Sequence, residues 1–166
     1  RFGLKVMMHH GPKRARTADA LLSADVVVTT YGTFVADFAK DAPGCALSGI
    51  PWGLIILDEV HMYLANPDNR AHQALRLHLR DTPRLALTGT LVQNGYREVA
   101  SICNVVLRPG HRFGRADVFD RPGAVSEFQK RHVLARTMEQ LDLKLPVCEV
   151  RDLRVDLDAV DREAYN

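Results

Sequence analysis

The chain has 166 residues, enough for one domain of ordinary size with a buried core. Apolar residues make up 46% and charged residues 25%, as in soluble globular proteins, and no stretch approaches the roughly 18 apolar residues of a membrane span. The formal net charge of +2 is too small to indicate a nucleic-acid partner by itself. We therefore expect an intracellular protein without a membrane partner.

Short β-rich segments alternate along the chain with longer helical ones, which is typical of a parallel α/β sheet. The predicted strands cover residues 4–8, 25–29, 54–57 and 84–87. Residues 25–29 form a continuous, largely β-branched run, which favours a strand buried on both faces. Apolar spacing predicts helices over residues 33–40 and 69–80, and a helical apolar stripe over residues 99–106.

Between Arg108 and Gly123 the composition changes to arginine, glycine, aspartate and proline with scattered aromatic residues. We predict a partly irregular excursion from the sheet there, followed by a helix from Ala124 to near Leu134. A last strand is predicted within residues 150–157, and Asp158 is a candidate N-cap for a further helix. Because the chain opens on an arginine beside a strand and stops within that helix, we expect it to be a piece of a longer protein.

The strongest chemical motif is the apolar strand 54–57 followed by two acids, Asp58 and Glu59. In a parallel sheet both carboxylates emerge at the carboxyl edge of the strands, where open α/β sheets bind ligands. An aspartate there can hold Mg²⁺, usually through water, and the next glutamate can orient or deprotonate an attacking water. The alternative is an ordinary strand-end pair that caps the following helix. On these residues alone, the two interpretations are about equally supported.

A second strand end, after residues 85–87, carries Thr88, Gly89 and Thr90. Neighbouring strands would bring the two threonines beside Glu59 and His61, where their hydroxyl groups can relay a change at a phosphate to the helix that follows. We predict that this helix opens with Gln93 and Asn94. Taken alone, a Thr-Gly-Thr sequence is usually only a turn.

In this order the segments resemble the motifs of the Swi/Snf-like family of superfamily 2 helicase-type ATPases. Residues 51–61, which contain the DEAH-like box Asp58-Glu59-Val60-His61, resemble motif II, and residues 87–94 resemble motif III. Residues 25–31 are similar to motif Ib, and His10-Gly11 with Arg16 is similar to the strand end before it. Weaker similarity continues at residues 136–137, 145–146 and 161–165. The chain departs from the family pattern at Val60, Leu91, Gly95 and residues 62–67.

The resemblance implies a RecA-like α/β fold, a three-layer parallel sheet with flanking helices, truncated at the N-terminus so that the phosphate-loop strand is missing. Residues 1–107 are then the second part of the first RecA-like lobe. Residues 108–146 are a helical and irregular excursion after motif III. Residues 147–166 are a return strand and the start of the helix that leads to the second lobe.

The function implied by the resemblance is that of an ATP-dependent DNA translocase of the chromatin-remodelling type, which couples ATP hydrolysis to movement on duplex DNA. Its cofactors are ATP and Mg²⁺. Its partners are duplex DNA, the second RecA-like lobe, and nucleosomes or other DNA-bound proteins, in the nucleus of a eukaryote or otherwise in the cytoplasm. Because the sequence contains no Gly-x-x-x-x-Gly-Lys-[Ser/Thr] loop to cradle phosphates, we expect the isolated chain to be inactive.

Roles for single residues are implied in the same way. Asp58 and Glu59 are the candidate catalytic residues, with Asp58 holding Mg²⁺ through water and His61 completing the nucleotide site. The candidate coupling residues are Thr88, Gly89, Thr90, Gln93 and Asn94. The candidate nucleic-acid contacts are Arg16, Thr30 and Tyr31. Two other functions stay open: an unwinding helicase of another superfamily 2 branch, and a non-catalytic DNA- or protein-binding domain derived from such an enzyme.

Overall fold

The computed structural model describes residues 2–38, 45–79, 81–137, 139–141 and 148–153. They belong to two compact units, Arg1–His132 and Val133–Asn166. In the described part of the second unit, the regular element is a 3₁₀ helix, Glu139–Leu141. Among the described residues, no helix is long and apolar enough to cross a membrane.

Strands and helices alternate through the first unit. In chain order they are β1 Val6–Met8, α1 Ala18–Leu22, β2 Val26–Val28, α2 Tyr31–Phe38, β3 Ile55–Leu57, α3 Val60–Leu64, α4 Arg70–Leu77, β4 Arg84–Ala86 and α5 Tyr96–Val106. Two 3₁₀ helices, Arg112–Gly114 and Ala116–Asp120, and helix α6, Ala124–His132, complete it.

The described strands form two parallel pairs. Strand β1 pairs with β2, with Met7 opposite Val27, and β3 pairs with β4, with Ile56 opposite Leu85. The parallel α/β class predicted from the sequence is therefore present. Parallel pairing also brings the carboxyl ends of paired strands to the same edge, which positions the residues that follow them.

Several predicted boundaries shift. Helix α4 begins one residue later than predicted because the Asn69 side chain accepts a hydrogen bond from the Ala71 N–H and so acts as the N-cap. Helices α1 and α3 were not predicted, since five-residue helices are too short to show a period. The strand predicted within residues 150–157 is not formed over the described residues 150–153, which are irregular, exposed chain. Helix α4 also ends earlier than predicted, at Leu77, because His78 takes an extended backbone and acts as the C-cap. The predicted helix end at Lys40 and the helix after Asp158 lie outside the described residues.

One face of the strands packs on the helices and the other is exposed. Val27, Ile55 and Leu57 join a core with side chains from α1 to α5, whereas their neighbours Val26 and Val28 are 37% and 42% exposed. The prediction that residues 25–29 are buried on both faces is therefore wrong. A β-branched run favours a strand, but burial of its second face needs another layer of structure, and the described helices supply only one.

The exposed face is apolar across both strand pairs. Its large side chains include those of Val6, Met8, Ile56 and Leu85, with exposures from 48% to 69%. Exposed apolar surface of this extent is typical of a surface that another element or molecule covers.

The guanidinium group of Arg84 ties strand β4 to the ends of two helices. Its Nη2 donates to the carbonyl oxygens of Leu75, His78 and Leu79 at distances of 2.9, 3.2 and 2.8 Å, and its Nη1 donates to that of Val105. These carbonyls belong to the C-terminal ends of α4 and α5, where a cation is favoured by the helix dipole. Burial lowers the pKa of Arg84.

The excursion after α5 packs as a small aromatic core. The Phe113 ring lies 5.4 Å from that of Phe119 and 5.2 Å from that of Phe128, and Tyr96 of α5 stacks on Phe119 at 5.0 Å. His132 closes the cluster against Phe113 at 5.5 Å. Phenylalanines spaced irregularly along the sequence thus form one cluster that attaches the excursion to α5.

Acidification below about pH 6.5, the ordinary pKa of histidine, is expected to destabilise the fold. His72 is 1% exposed, and burial lowers its pKa more than the hydrogen bond between Nε2 and the Ser101 carbonyl raises it. Burial also lowers the pKa of His132. A lowered folded-state pKa gives stability that is fully present above the unfolded value and is lost as pH falls through the folded value.

Urea unfolding of the isolated chain at pH 7.5 and pH 5 measures this effect. We expect a lower midpoint at pH 5, and a smaller difference in His72→Gln, which keeps an amide donor but cannot be protonated. Equal pH dependence in the variant and the wild type would contradict the assignment to His72.

Candidate active site

The ends of β3 and β4 bring acids and hydroxyl groups together. The Leu87 N–H donates to the Leu57 carbonyl at 2.8 Å, and the Val60 N–H donates to the Leu87 carbonyl at 3.2 Å, so the pairing continues beyond both strands. As a result, the Thr88 hydroxyl lies 2.7 Å from Nδ1 of His61. The same ring nitrogen lies 3.3 Å from Oε2 of Glu59.

Glu59 makes the turn from β3 into α3 with an unusual backbone. Its φ of 48° and ψ of 46° are left-handed, a conformation that non-glycine residues adopt at functional sites more than elsewhere. The turn leaves the Glu59 side chain 53% exposed. Glu59 occupies the N-cap position of α3, but its side chain makes no capping hydrogen bond to the helix.

The hydrogen bonds around Thr88 favour one tautomer of His61. The Thr88 hydroxyl donates to the Thr90 carbonyl and accepts from the Thr90 N–H, both at 3.1 Å. Its remaining lone pair and the Glu59 carboxylate both face Nδ1 of His61. Two acceptors facing one nitrogen favour the tautomer that carries its proton on Nδ1. His61 therefore links the acid of one strand end to the hydroxyl of the next.

The other predicted coupling residues lie farther along the chain from Glu59 and His61. Thr90 contacts the Thr88 hydroxyl through its main-chain N–H and carbonyl. The Asn94 side chain donates to Oε1 of Glu98 at 2.7 Å. Helix α5 begins at Tyr96, so the prediction that Gln93 and Asn94 open it is wrong. Gly95 lies between Asn94 and the start of α5, and its backbone φ is 144°. This backbone conformation is not helical, and residues with a side chain rarely adopt it.

The three predicted nucleic-acid residues have different surroundings. The Thr30 hydroxyl accepts from the Thr33 N–H at 3.2 Å and so caps α2. Arg16 is exposed and donates to the Pro12 carbonyl at 3.2 Å. The Tyr31 hydroxyl donates to the main-chain carbonyl of Asp58 at 2.8 Å, which brings this residue to the acidic strand end.

A charged cluster that the sequence analysis missed fixes the loop after β1. His9 is fully buried, and its Nε2 lies 2.6 Å from Oδ2 of Asp37. Arg14 donates to Oδ1 of Asp37 through Nε and Nη2 at 2.9 and 2.7 Å. Burial raises the pKa of Asp37, but the hydrogen bonds from Arg14 and His9 outweigh it and the pKa is lowered. No local pattern could reveal contacts between residues 23 and 28 positions apart.

The acids fit a magnesium ion that keeps most of its own waters. Among the described residues, no three His, Cys, Asp or Glu side chains are grouped to enclose a metal. Asp58 is exposed, and its Oδ1 accepts from the Glu59 N–H at 3.0 Å. Mg²⁺ commonly binds through one or two carboxylates together with substrate phosphates, which is compatible with a single aspartate here.

Comparison with known proteins decides the family, because the model of the SNF2-related domain matches residues 2–166. The chain belongs to the SNF2-related domain family. This confirms the resemblance found in the sequence. Over an alignment of 179 positions, the SNF2-related chain is 31% identical to the DNA repair protein RAD5B of Arabidopsis thaliana, and the alignment covers 98% of this chain and 14% of that protein. It is 34% identical over 109 residues to the helicase-like transcription factor of Homo sapiens, covering 64% of this chain and 10% of that protein.

A solved structure supports the fold of the SNF2-related chain. The Sulfolobus solfataricus SWI2/SNF2 ATPase core, solved in complex with double-stranded DNA, matches with a TM-score of 0.59 and 21% identity. The match covers 85% of this chain and 30% of that chain. The predicted RecA-like α/β fold class is confirmed. The SNF2-related chain spans only a small part of each of these relatives.

Proposed function

We propose that this SNF2-related domain is part of the first motor lobe of a DNA-dependent ATPase that moves along duplex DNA. The observation that carries the proposal is the strand-end arrangement, in which Asp58 and Glu59 lie beside the His61–Thr88 contact at 2.7 Å. Family membership and the fold supply its context. Helicase-like and DNA-repair relatives support a role in chromatin or DNA-repair transactions, in the nucleus of a eukaryote or otherwise in the cytoplasm.

Each side chain of the strand end has a distinct task in this proposal. Asp58 would hold Mg²⁺ through water. When bound, Mg²⁺ neutralises charge that develops on the phosphate oxygens. Glu59 accepts a proton from the attacking water or orients it. His61, with its Nδ1 proton between Glu59 and Thr88, restricts where the carboxylate can lie.

In this proposal, the residues after β4 and those at the end of β2 couple the nucleotide site to DNA. Thr88, Gly89 and Thr90 connect the acidic strand end with Gln93, Asn94 and helix α5. Arg16 and Thr30 contact the DNA backbone, supported by the loop that Asp37 fixes. The second RecA-like lobe of the full-length protein completes the site, and nucleosomes or other DNA-bound proteins are its substrates.

The proposal is tested by phosphate release from the full-length protein and from the isolated chain. We expect duplex DNA to stimulate the full-length enzyme, and the isolated chain to stay at background with or without DNA, because its sequence contains no phosphate-binding loop. Full-length protein that binds DNA but shows no stimulated hydrolysis contradicts the motor proposal and favours a non-catalytic binding domain. Strand separation coupled to hydrolysis would favour an unwinding helicase.

A further inference from the structure

Tyr31 joins the end of β2 to the turn that carries the candidate catalytic acids. It is the first residue of α2, directly after Thr30. Its hydroxyl donates to the Asp58 carbonyl at 2.8 Å, across 27 positions of sequence. Its ring stacks on that of Tyr63 in α3, with centroids 4.1 Å apart and planes inclined by 19°. Tyr31 therefore contacts both the strand end before Glu59 and the helix after it.

The hydroxyl is the donor that holds the Asp58 carbonyl. Pairing between β3 and β4 uses the carbonyls of Leu57 and Leu87, and within the described residues no main-chain donor reaches that of Asp58. Burial and the nearby Asp58 carboxylate both raise the pKa of Tyr31. The phenol thus keeps its proton and remains a donor.

These contacts surround a backbone that is already unusual. Glu59, with its φ of 48°, lies between the carbonyl that Tyr31 binds and the helix on which Tyr31 stacks. A left-handed non-glycine residue persists only where its surroundings hold it. A shift at the start of α2 would therefore be transmitted to the turn at Asp58 and Glu59.

We propose that Tyr31 is a positioning residue that couples DNA binding at the start of α2 to nucleotide binding at Asp58 and Glu59. The inference rests on the proposed function and deepens it. It assigns the Tyr31 hydroxyl to a contact within the protein, the hydrogen bond to the Asp58 carbonyl, in place of direct contact with DNA. Coupling of this kind appears as a change in the affinity for one ligand when the other is bound.

The experiment compares Tyr31→Phe with Tyr63→Phe in the full-length protein. Phenylalanine at 31 keeps the stacked ring and removes only the donor. Tyr63→Phe is a matched control, because within the described part of the chain the Tyr63 hydroxyl makes no hydrogen bond. For each protein, the affinity for a non-hydrolysable ATP analogue is measured with and without saturating duplex DNA, together with the DNA affinity without nucleotide. Circular dichroism checks the fold.

We expect the effect of DNA on analogue affinity to fall by about fivefold or more in Tyr31→Phe, with the DNA affinity measured without nucleotide unchanged, and to persist in Tyr63→Phe. An unchanged effect in Tyr31→Phe overturns the inference, and so does a loss confined to DNA affinity, which would make Tyr31 a DNA contact. A wild-type protein in which DNA does not change analogue affinity overturns the inference alone, because the proposed function is tested separately by DNA-stimulated phosphate release. If Tyr31→Phe does not fold, Tyr63→Leu removes the stacking partner, and an unchanged effect there overturns the inference.

Discussion

Replacing Glu59 with glutamine in the full-length protein is expected to lower the ATPase rate by about 100-fold or more, the range for loss of a general base. Glutamine keeps the size of the side chain and an oxygen that can face Nδ1 of His61, but it cannot take a proton from water. Because the carboxylate makes no capping bond to α3, its loss should leave the fold in place. We expect the turnover rate to fall while nucleotide affinity changes little.

Phosphate release at saturating ATP and DNA measures the effect, with nucleotide binding followed separately. Glu127→Gln is a matched control, because it makes the same chemical change in α6, where Glu127 pairs with Arg112 in the excursion. The control should retain its rate. If Glu59→Gln hydrolyses ATP as fast as Glu127→Gln does, the assignment of Glu59 to catalysis is wrong.

Replacing Arg84 with methionine is expected to lower the free energy of unfolding by about 3 kcal/mol, since several partly buried carbonyl acceptors lose a charged donor together. The guanidinium group holds four carbonyl oxygens at the ends of α4 and α5. Methionine is similar in length but donates no hydrogen bond. Lysine keeps the charge, but a single ammonium group cannot reproduce the planar fork, so Arg84→Lys should be intermediate.

Urea unfolding of the isolated chain, followed by the fluorescence of its single tryptophan, Trp52, and by circular dichroism, gives the free-energy difference. Arg97→Met serves as a control on the exposed surface of α5, where we expect a change within about 0.5 kcal/mol. Equal stability of Arg84→Met and Arg97→Met would show that the bonds from Arg84 contribute nothing net.

The part of the site that the sequence could predict follows from which residues stand at the carboxyl ends of the predicted strands. An apolar run followed by Asp58 and Glu59, and a second run followed by Thr88, predict that these residues meet if the strands are parallel neighbours. The pairing of β3 with β4 and the 2.7 Å contact between Thr88 and His61 give that proximity. The catalytic and coupling roles of these residues stay predictions.

Contacts between distant segments account for what the sequence could not predict. Arg84 looks like an ordinary residue at the start of a strand, and Asp37 like a polar residue on a helix. Their partners lie on other elements and depend on tertiary packing, which local sequence periodicity does not reveal. The exposure of Val26 and Val28 has the same origin, since a β-branched run specifies a strand but not the layers around it.

The left-handed backbone at Glu59 also bears on how this domain should be engineered. Glycine and, less readily, asparagine adopt this conformation with little strain, so a search for heat-resistant variants would favour either residue at position 59. Both remove the carboxylate. If Glu59 has the catalytic role proposed above, selection on folding alone would enrich stable but inactive protein, and a stability-guided redesign of this turn must keep position 59 fixed.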